Sequence, residues 1–280
     1  MRSFTPKNVI ELERLSTQIR KDVVTMVYEA GSGHPGGSLS SADIITALYF
    51  HIMNLNPQNP QWPDRDRFVL SKGHCCPAYY AALAHRGYFS LKTLHTLRKY
   101  GSLLQGHPDM LLTPGVDMTT GSLGNGLSLG MGMALSARYQ HRNYMTYVLM
   151  GDGEIQEGMI WEAAMAASTY HLDNLIGIID CNGLQINGWV NDIIREEPLA
   201  DKWKAFGWNV IEINGNKMDE VLSGIHDALT MKGAPTVILA RTIKGKGVSF
   251  MEDNKDWHGK APNEMEFKQA IAELDHMEEK

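Results

Sequence analysis

The chain has 280 residues, 43% of them hydrophobic and 21% charged, a composition that excludes a disordered chain and allows a core without metal or disulfide support. Its 26 Lys and Arg against 32 Asp and Glu give a net charge of −6, which argues against nucleic acid as a main partner, because backbone binding needs a basic surface. The cysteines, Cys75, Cys76 and Cys181, have no CxxC spacing, so neither a disulfide framework nor a zinc ribbon is expected.

Residues 8–30 carry Leu12, Leu15, Ile19, Val23, Met26 and Ala30 at three- and four-residue steps, which predicts a helix. Asn8 is its expected cap, with Glu11 completing a capping box. Residues 1–15 show no apolar leader segment, and no stretch is long enough to span a bilayer, so a reducing, cytoplasmic setting without a membrane partner is expected. The segment GSGHPGG at 31–37 reads as neither helix nor strand. A helix is predicted over 41–51, a short buried strand over 67–70, and helices over 77–85 and 91–100. Residues 101–124 form a long Gly- and Pro-punctuated loop, a length that is usually functional or disordered, and its many apolar residues favour the functional reading. Helix resumes over 126–139.

From there strands over 144–150, 175–180, 208–213 and 236–240 alternate with helices over 156–170, 199–206 and 219–231. A surface helix over 263–276 follows. This alternation predicts an α/β fold: one three-layer, doubly wound domain over 1–280, with a mainly parallel sheet and helices on both faces.

Asp152 and Asn182 lie thirty residues apart, about one strand–helix–strand unit, each just beyond a predicted strand. If the two strands are neighbours, both residues reach the edge where open α/β sheets bind ligands. A carboxylate, an amide oxygen and a nearby backbone carbonyl suit Mg²⁺ or Ca²⁺, and Mg²⁺ commonly shares its shell with phosphate oxygens. Glycines beside them, Gly151, Gly153 and Gly183, allow close approach of an anion, although Asp-Gly and Asn-Gly are also ordinary turns. His34, His74, His107 and His258 all adjoin a glycine in predicted loops. Imidazoles so placed can bind phosphate or hydroxyl groups and move protons, though a lone loop histidine is usually only solvated. Zinc is a competing reading that their spacing does not favour. RTIKGKG at 241–247 suits a loop over phosphate or a solvated basic turn.

Taken together, these pieces resemble the thiamine-diphosphate domain of transketolase. GSGHPGG at 31–37, LSKGH at 70–74, GHPD at 106–109 and TTGSLGNG at 119–126 match. GDGEIQEG at 151–158, DCNGL at 180–184, TIKGKG at 242–247 and DWHGKAP at 256–262 continue the family's order. Small departures are Asn125, where many members have Gln, and Ser122, where some have Pro. The resemblance implies that Asp152, Asn182 and the Leu184 carbonyl hold Mg²⁺, for which Ca²⁺ or Mn²⁺ can substitute. It implies that Gly153, His74 and His258 hold the cofactor diphosphate, and that Gly121, Leu123 and Ile243 lie along the cofactor rings. Lys72 and Lys244 match basic residues near the cofactor. His34, His107 and His258 are the implied catalytic residues facing the ketose hydroxyls, and Glu157 matches an interface glutamate.

Whole transketolases continue into pyrimidine-binding and C-terminal domains that this sequence does not contain, including the glutamate that activates the cofactor and arginines that grip sugar phosphates. The resemblance therefore implies one subunit of a split transketolase, with two copies of each chain and sugar-phosphate substrates, close to inactive alone. An α subunit of a 2-oxo acid dehydrogenase, a fragment of 1-deoxyxylulose-phosphate synthase and a non-catalytic cofactor-binding module are the alternatives.

Overall fold

The computed structural model describes residues 5–278. Helices α1 (Pro6–Ala30) and α2 (Pro35–Ala47) precede strand β1 (Arg67–Leu70) and helix α3 (Cys76–Arg86). Helix α4 (Asn125–Tyr139) leads into β2 (Thr146–Gly151), α5 (Gly158–Thr169) and β3 (Leu175–Cys181). A small hairpin, β4 (Leu184–Gln185) and β5 (Gly188–Trp189), and the single turn α6 (Val190–Ile193) follow. The remainder runs through α7 (Leu199–Ala205), β6 (Asn209–Asn214), α8 (Met218–Thr230), β7 (Thr236–Arg241) and α9 (Glu264–Glu278).

The main sheet has the order β1-β2-β3-β7-β6, and every pairing in it is parallel. Because strand side chains alternate, each strand feeds two cores. Phe68, Leu70, Tyr147, Leu149, Ile176 and Ile178 pack with α1, α2, α3, α8 and α9. Val69, Val148, Met150, Leu175 and Ile179 pack with α4, α5 and α7. Each such side chain contributes roughly 1.5–3 kcal/mol on burial, and the near-continuous apolar runs read as strands are the pattern a sheet covered on both faces requires.

Register places the site. Gly151 pairs with Asp180 and Cys181 with Arg241, so β2, β3 and β7 end level with one another. The loops after them open on one edge, together with the loop after β1, whose Ser71 N–H still bonds to Leu149.

Several local expectations change. Helix α1 is capped by Thr5, and Asn8 is its reciprocal partner in the capping box, because Pro6 already opens the helix. Helix α2 begins at Pro35, so Gly36 and Gly37 form its first turn instead of a loop. The proline ring pre-sets the first helical φ and offsets the poor helix propensity of the glycines. Helix α2 continues into a π turn over Leu48–Ile52. The expected helix over 91–100 is only a tight turn over Leu91–Thr96, and Arg98 beyond it has a φ of 59°. The expected helix over 156–170 starts instead as a tight turn over Gly153–Gln156, followed by α5. Hairpin β4–β5 and α6 are additions that the apolar pattern did not announce. Residues 101–124 contain no helix or strand. Among the described residues, no helix is long and apolar enough to cross a membrane, and all three cysteines are free and buried.

Candidate active site

The loops at the carboxyl ends of β1, β2, β3 and β7 enclose a cleft of about 380 Å³. His34, His74, His107 and His258 line it, with Gly121 and Leu123. Asp152, Gly153, Asn182, Leu184 and Lys244 line it as well. Ile243 and Glu157 do not. Ile243 is half-buried beside the cleft, its N–H bonded to Asn216 Oδ1 at 2.8 Å, and Glu157 is exposed at the start of α5.

At the floor, the Asp152 carboxylate accepts from Gly153 N–H at 2.8 Å and from Gly183 N–H at 2.5 Å. Burial, and then the charge of Asp180, push its pKa up to about 6. Asn182 Nδ2 donates to Asp180 Oδ2 at 2.8 Å, and Asn182 Oδ1 accepts from Leu184 N–H at 3.1 Å. The Leu184 carbonyl accepts from Lys244 Nζ at 2.8 Å, which leaves its second lone pair. The neighbouring strand ends thus gather an acid, an amide oxygen and a carbonyl, hard donors that fit a divalent cation. A cation there would also relieve the penalty that raises Asp152. Among the described residues no group of three His, Cys, Asp or Glu side chains could hold a metal, which leaves the zinc reading without a ligand set.

Above this floor the rings of His34, His74 and His258 form a triangle with centroids 5.1 to 5.4 Å apart. Burial lowers all three, joined by nearby positive groups: His34 and His74 to about 4 and His258 to about 3. His107 is lowered for the same reason, burial first and then His74 and Arg98. These imidazoles are neutral at pH 7. His107 is delivered by the long loop, whose Gln105 and His107 carbonyls both accept from buried Tyr80 Oη of α3 at 3.0 Å. Its ring packs on Gly121, which has a φ of 139°, and a Cβ there would stand 2.9 Å from the imidazole. Only glycine meets both demands.

Sequence reasoning missed the buried acids that hold the walls together. Asp180, fully buried, ion-pairs with Lys72 and accepts from Ser40 Oγ at 2.6 Å and from Thr242 Oγ1. Burial, the largest influence, would raise its pKa, but the Lys72 charge and the hydrogen bonds from Lys72, Ser40 and Thr242 together hold the carboxyl below its ordinary range. Glu154 accepts from Gly124 N–H and Gly151 N–H at 3.0 Å each, and from Ser71 Oγ. Gln156 reaches Gln185 at 2.9 Å and Glu196 at 3.1 Å, tying the hairpin to the floor. A signal existed for the first pair: Lys72 and Asp180 are the first ionisable residues after the apolar runs FVL and LIGII.

A family model for transketolase, thiamine diphosphate binding domain, matches residues 12–279. A 6-deoxy-6-sulfo-D-fructose transketolase subunit from Clostridium sp. (strain MSTE9) is 48% identical, over 95% of this chain and 97% of its own length. An apulose-4-phosphate transketolase subunit from Phocaeicola vulgatus is 45% identical, over 96% of this chain and 95% of its own. Human transketolase is 39% identical over 94% of this chain, but this chain spans only 42% of its length. The crystal structure of transketolase from Campylobacter jejuni superposes with a TM-score of 0.90 at 34% identity, covering 94% of this chain and 42% of that one. With its cleft built from the same ordered segments that matched in sequence, the chain belongs to the transketolase family, as its thiamine-diphosphate-binding N-terminal section.

Proposed function

We propose that this chain is the N-terminal subunit of a two-chain transketolase that moves a two-carbon ketol unit from a ketose, typically a ketose phosphate, to an aldose. The observation that carries this reading is one of extent: the chain spans nearly all of relatives named as transketolase subunits and about two-fifths of the single-chain enzymes. A second chain brings the pyrimidine-binding and C-terminal domains, with two copies of each chain in the complex. Exposed Glu157 at the start of α5 belongs to the contact between chains. The three free cysteines fit a cytoplasmic setting.

Asp152, Asn182 Oδ1 and the Leu184 carbonyl hold Mg²⁺, or Ca²⁺ or Mn²⁺ in its place. Gly153, His74, His258 and Lys244 lie where the diphosphate of thiamine diphosphate binds, and Gly121, Leu123 and Ile243 border its rings. Bound there, the cofactor supplies the nucleophilic carbon and the electron sink for ketol transfer. The chain's own work is placement and proton handling. Neutral His34, His107 and His258 bond to the ketose hydroxyls and orient the substrate. The buried Lys72–Asp180 pair keeps the floor rigid without presenting net charge.

The test is reconstitution with a second chain carrying the other two domains, thiamine diphosphate and Mg²⁺. Ketol transfer from a ketose to an aldose is expected from the pair and close to none from either chain alone. In the same pair, Asp152→Ala should abolish cofactor retention in calorimetry, and unchanged affinity would defeat the metal assignment. Consumption of a 2-oxo acid instead of a ketose would replace the reading with one of the other thiamine enzymes. Bound cofactor without any transfer would leave a binding module.

A further inference from the structure

His34 is gripped from outside the cleft by a residue that none of the site assignments includes. Arg98 follows the tight turn at Leu91–Thr96 in the left-handed region, with a φ of 59°, and its N–H bonds to the Leu104 carbonyl at 2.8 Å. That backbone costs a residue with a Cβ roughly 1–2 kcal/mol. The guanidinium it delivers sits between two loops. Nη1 donates to Ser32 Oγ at 3.0 Å, and Nη2 stands 3.5 Å from His34 Nδ1. The opposite wall is Gly106, where a Cβ would lie 3.0 Å from the guanidinium carbon. Arg98 therefore fills a slot between the segment that carries His34 and the segment that carries His107.

A guanidinium has only donors and does not lose its charge in proteins. A ring nitrogen facing it can therefore only accept, and even at this longer separation the positive charge disfavours an N–H on that side. We propose that Arg98 is a positioning residue that fixes His34 as the neutral tautomer with its proton on Nε2, so that His34 offers a hydrogen-bond donor to a ketose oxygen and not a base. The ketose rests on the function proposed above; the tautomer rests on the geometry alone. The electrostatics agree, since burial and then His74, Arg98, His107 and Lys244 hold the His34 pKa at about 4, with the His258 ring 5.4 Å away. The arrangement recurs across the cleft, where Lys244 Nζ stands 3.0 Å from His258 Nδ1.

The experiment is nitrogen and carbon NMR of the full chain with labelled histidine, His34 being assigned from the signal lost in His34→Gln. His34 should carry its proton on Nε2 in the parent chain and in Arg98→Lys, whose ammonium is also donor-only. In Arg98→Gln the amide oxygen can accept, so the Nδ1–H form should grow. In the reconstituted pair, Arg98→Gln should raise the KM for ketose about threefold to tenfold, the effect of one hydrogen bond, with a smaller fall in kcat. Arg98→Lys should recover most of that loss. A proton on Nδ1 in the parent, or a tautomer unchanged in Arg98→Gln, would overturn the proposal. A tautomer shift alongside an unaltered pair that transfers no ketol unit would count against the functional reading and uphold Arg98.

Discussion

At the scale of single residues, the cleft brings imidazoles together under conditions that deny them protons. His34 and His74 titrate at about 4 against an ordinary 6.5, first because they are buried and then because cations and other rings surround them. Between pH 6.5 and about 4 the unfolded chain binds protons that the folded chain refuses. The stability associated with these neutral rings is therefore complete above pH 6.5 and is lost as pH falls. Asp152 and Glu196 act with the opposite sign, since burial raises them to about 6 and about 7. The informative quantity is thus a difference. In urea unfolding, the midpoint of His74→Gln should rise relative to that of the parent as pH falls from 6.5 to about 4. A constant difference across that range would mean that His74 ionises as freely folded as unfolded. The glycine-flanked histidines are visible in sequence, but the partners of the acids that hold the walls are not. Glu154 and Asp180 look like any strand-end or turn carboxylates until the fold closes donors around them.

At the scale of elements, glycine placement separates close packing from mere permissiveness. Gly126 in α4 lies against the end of β1, and a Cβ there would fall 2.1 Å from Ser71 Oγ and 2.8 Å from its Cα. Backbone cannot rotate away, so Gly126→Ala should destabilise the chain by about 1–3 kcal/mol, as overpacked cores do. Gly132, further along the same helix, has nothing within 4 Å of the position a methyl group would take, and Gly132→Ala should stabilise by up to about 1 kcal/mol. Urea midpoints of the two variants on opposite sides of the parent would bear this out; a common shift would refute it. The same contrast explains which elements are legible. Strands β2, β3 and β7 are unbroken apolar runs, and their ends fall within two residues of where the apolar pattern puts them. The start of α2 is not legible, because Pro35, Gly36 and Gly37 argue against helix locally. All three are buried in the fold, where Gly36 packs against Lys244 and Trp257 and Gly37 against Cys75, and that tertiary packing outweighs propensity.

At the scale of the whole molecule, a buried charged network connects segments that are far apart in sequence. Arg20 of α1 meets Asp43 of α2 through two contacts, 3.1 Å and 2.5 Å, and both side chains are almost wholly buried. Burial, the largest influence, would raise Asp43, but the Arg20 charge and the hydrogen bonds from Arg20, Asn216 and Ser16 together hold the carboxyl below its ordinary range. Asn216, after β6, donates to Asp43 at 3.0 Å and accepts from Ile243 N–H at 2.8 Å, on the loop that delivers Lys244. Asp43→Ala leaves Arg20 unpaired in the core and should cost about 3–5 kcal/mol in urea unfolding. A loss below about 1 kcal/mol would place the pair among surface-like contacts. The sequence by itself determined the layered α/β class, the order along the chain of the sheet strands and most helices, and the segments that bear the chemistry, because apolar period and glycine-flanked polar residues are local properties. Tertiary structure alone decided which strand ends lie level, which imidazoles touch, and which cation faces which ring nitrogen. Those depend on register and on contacts between residues such as Lys72 and Asp180, 108 positions apart, whose pairing no local pattern specifies.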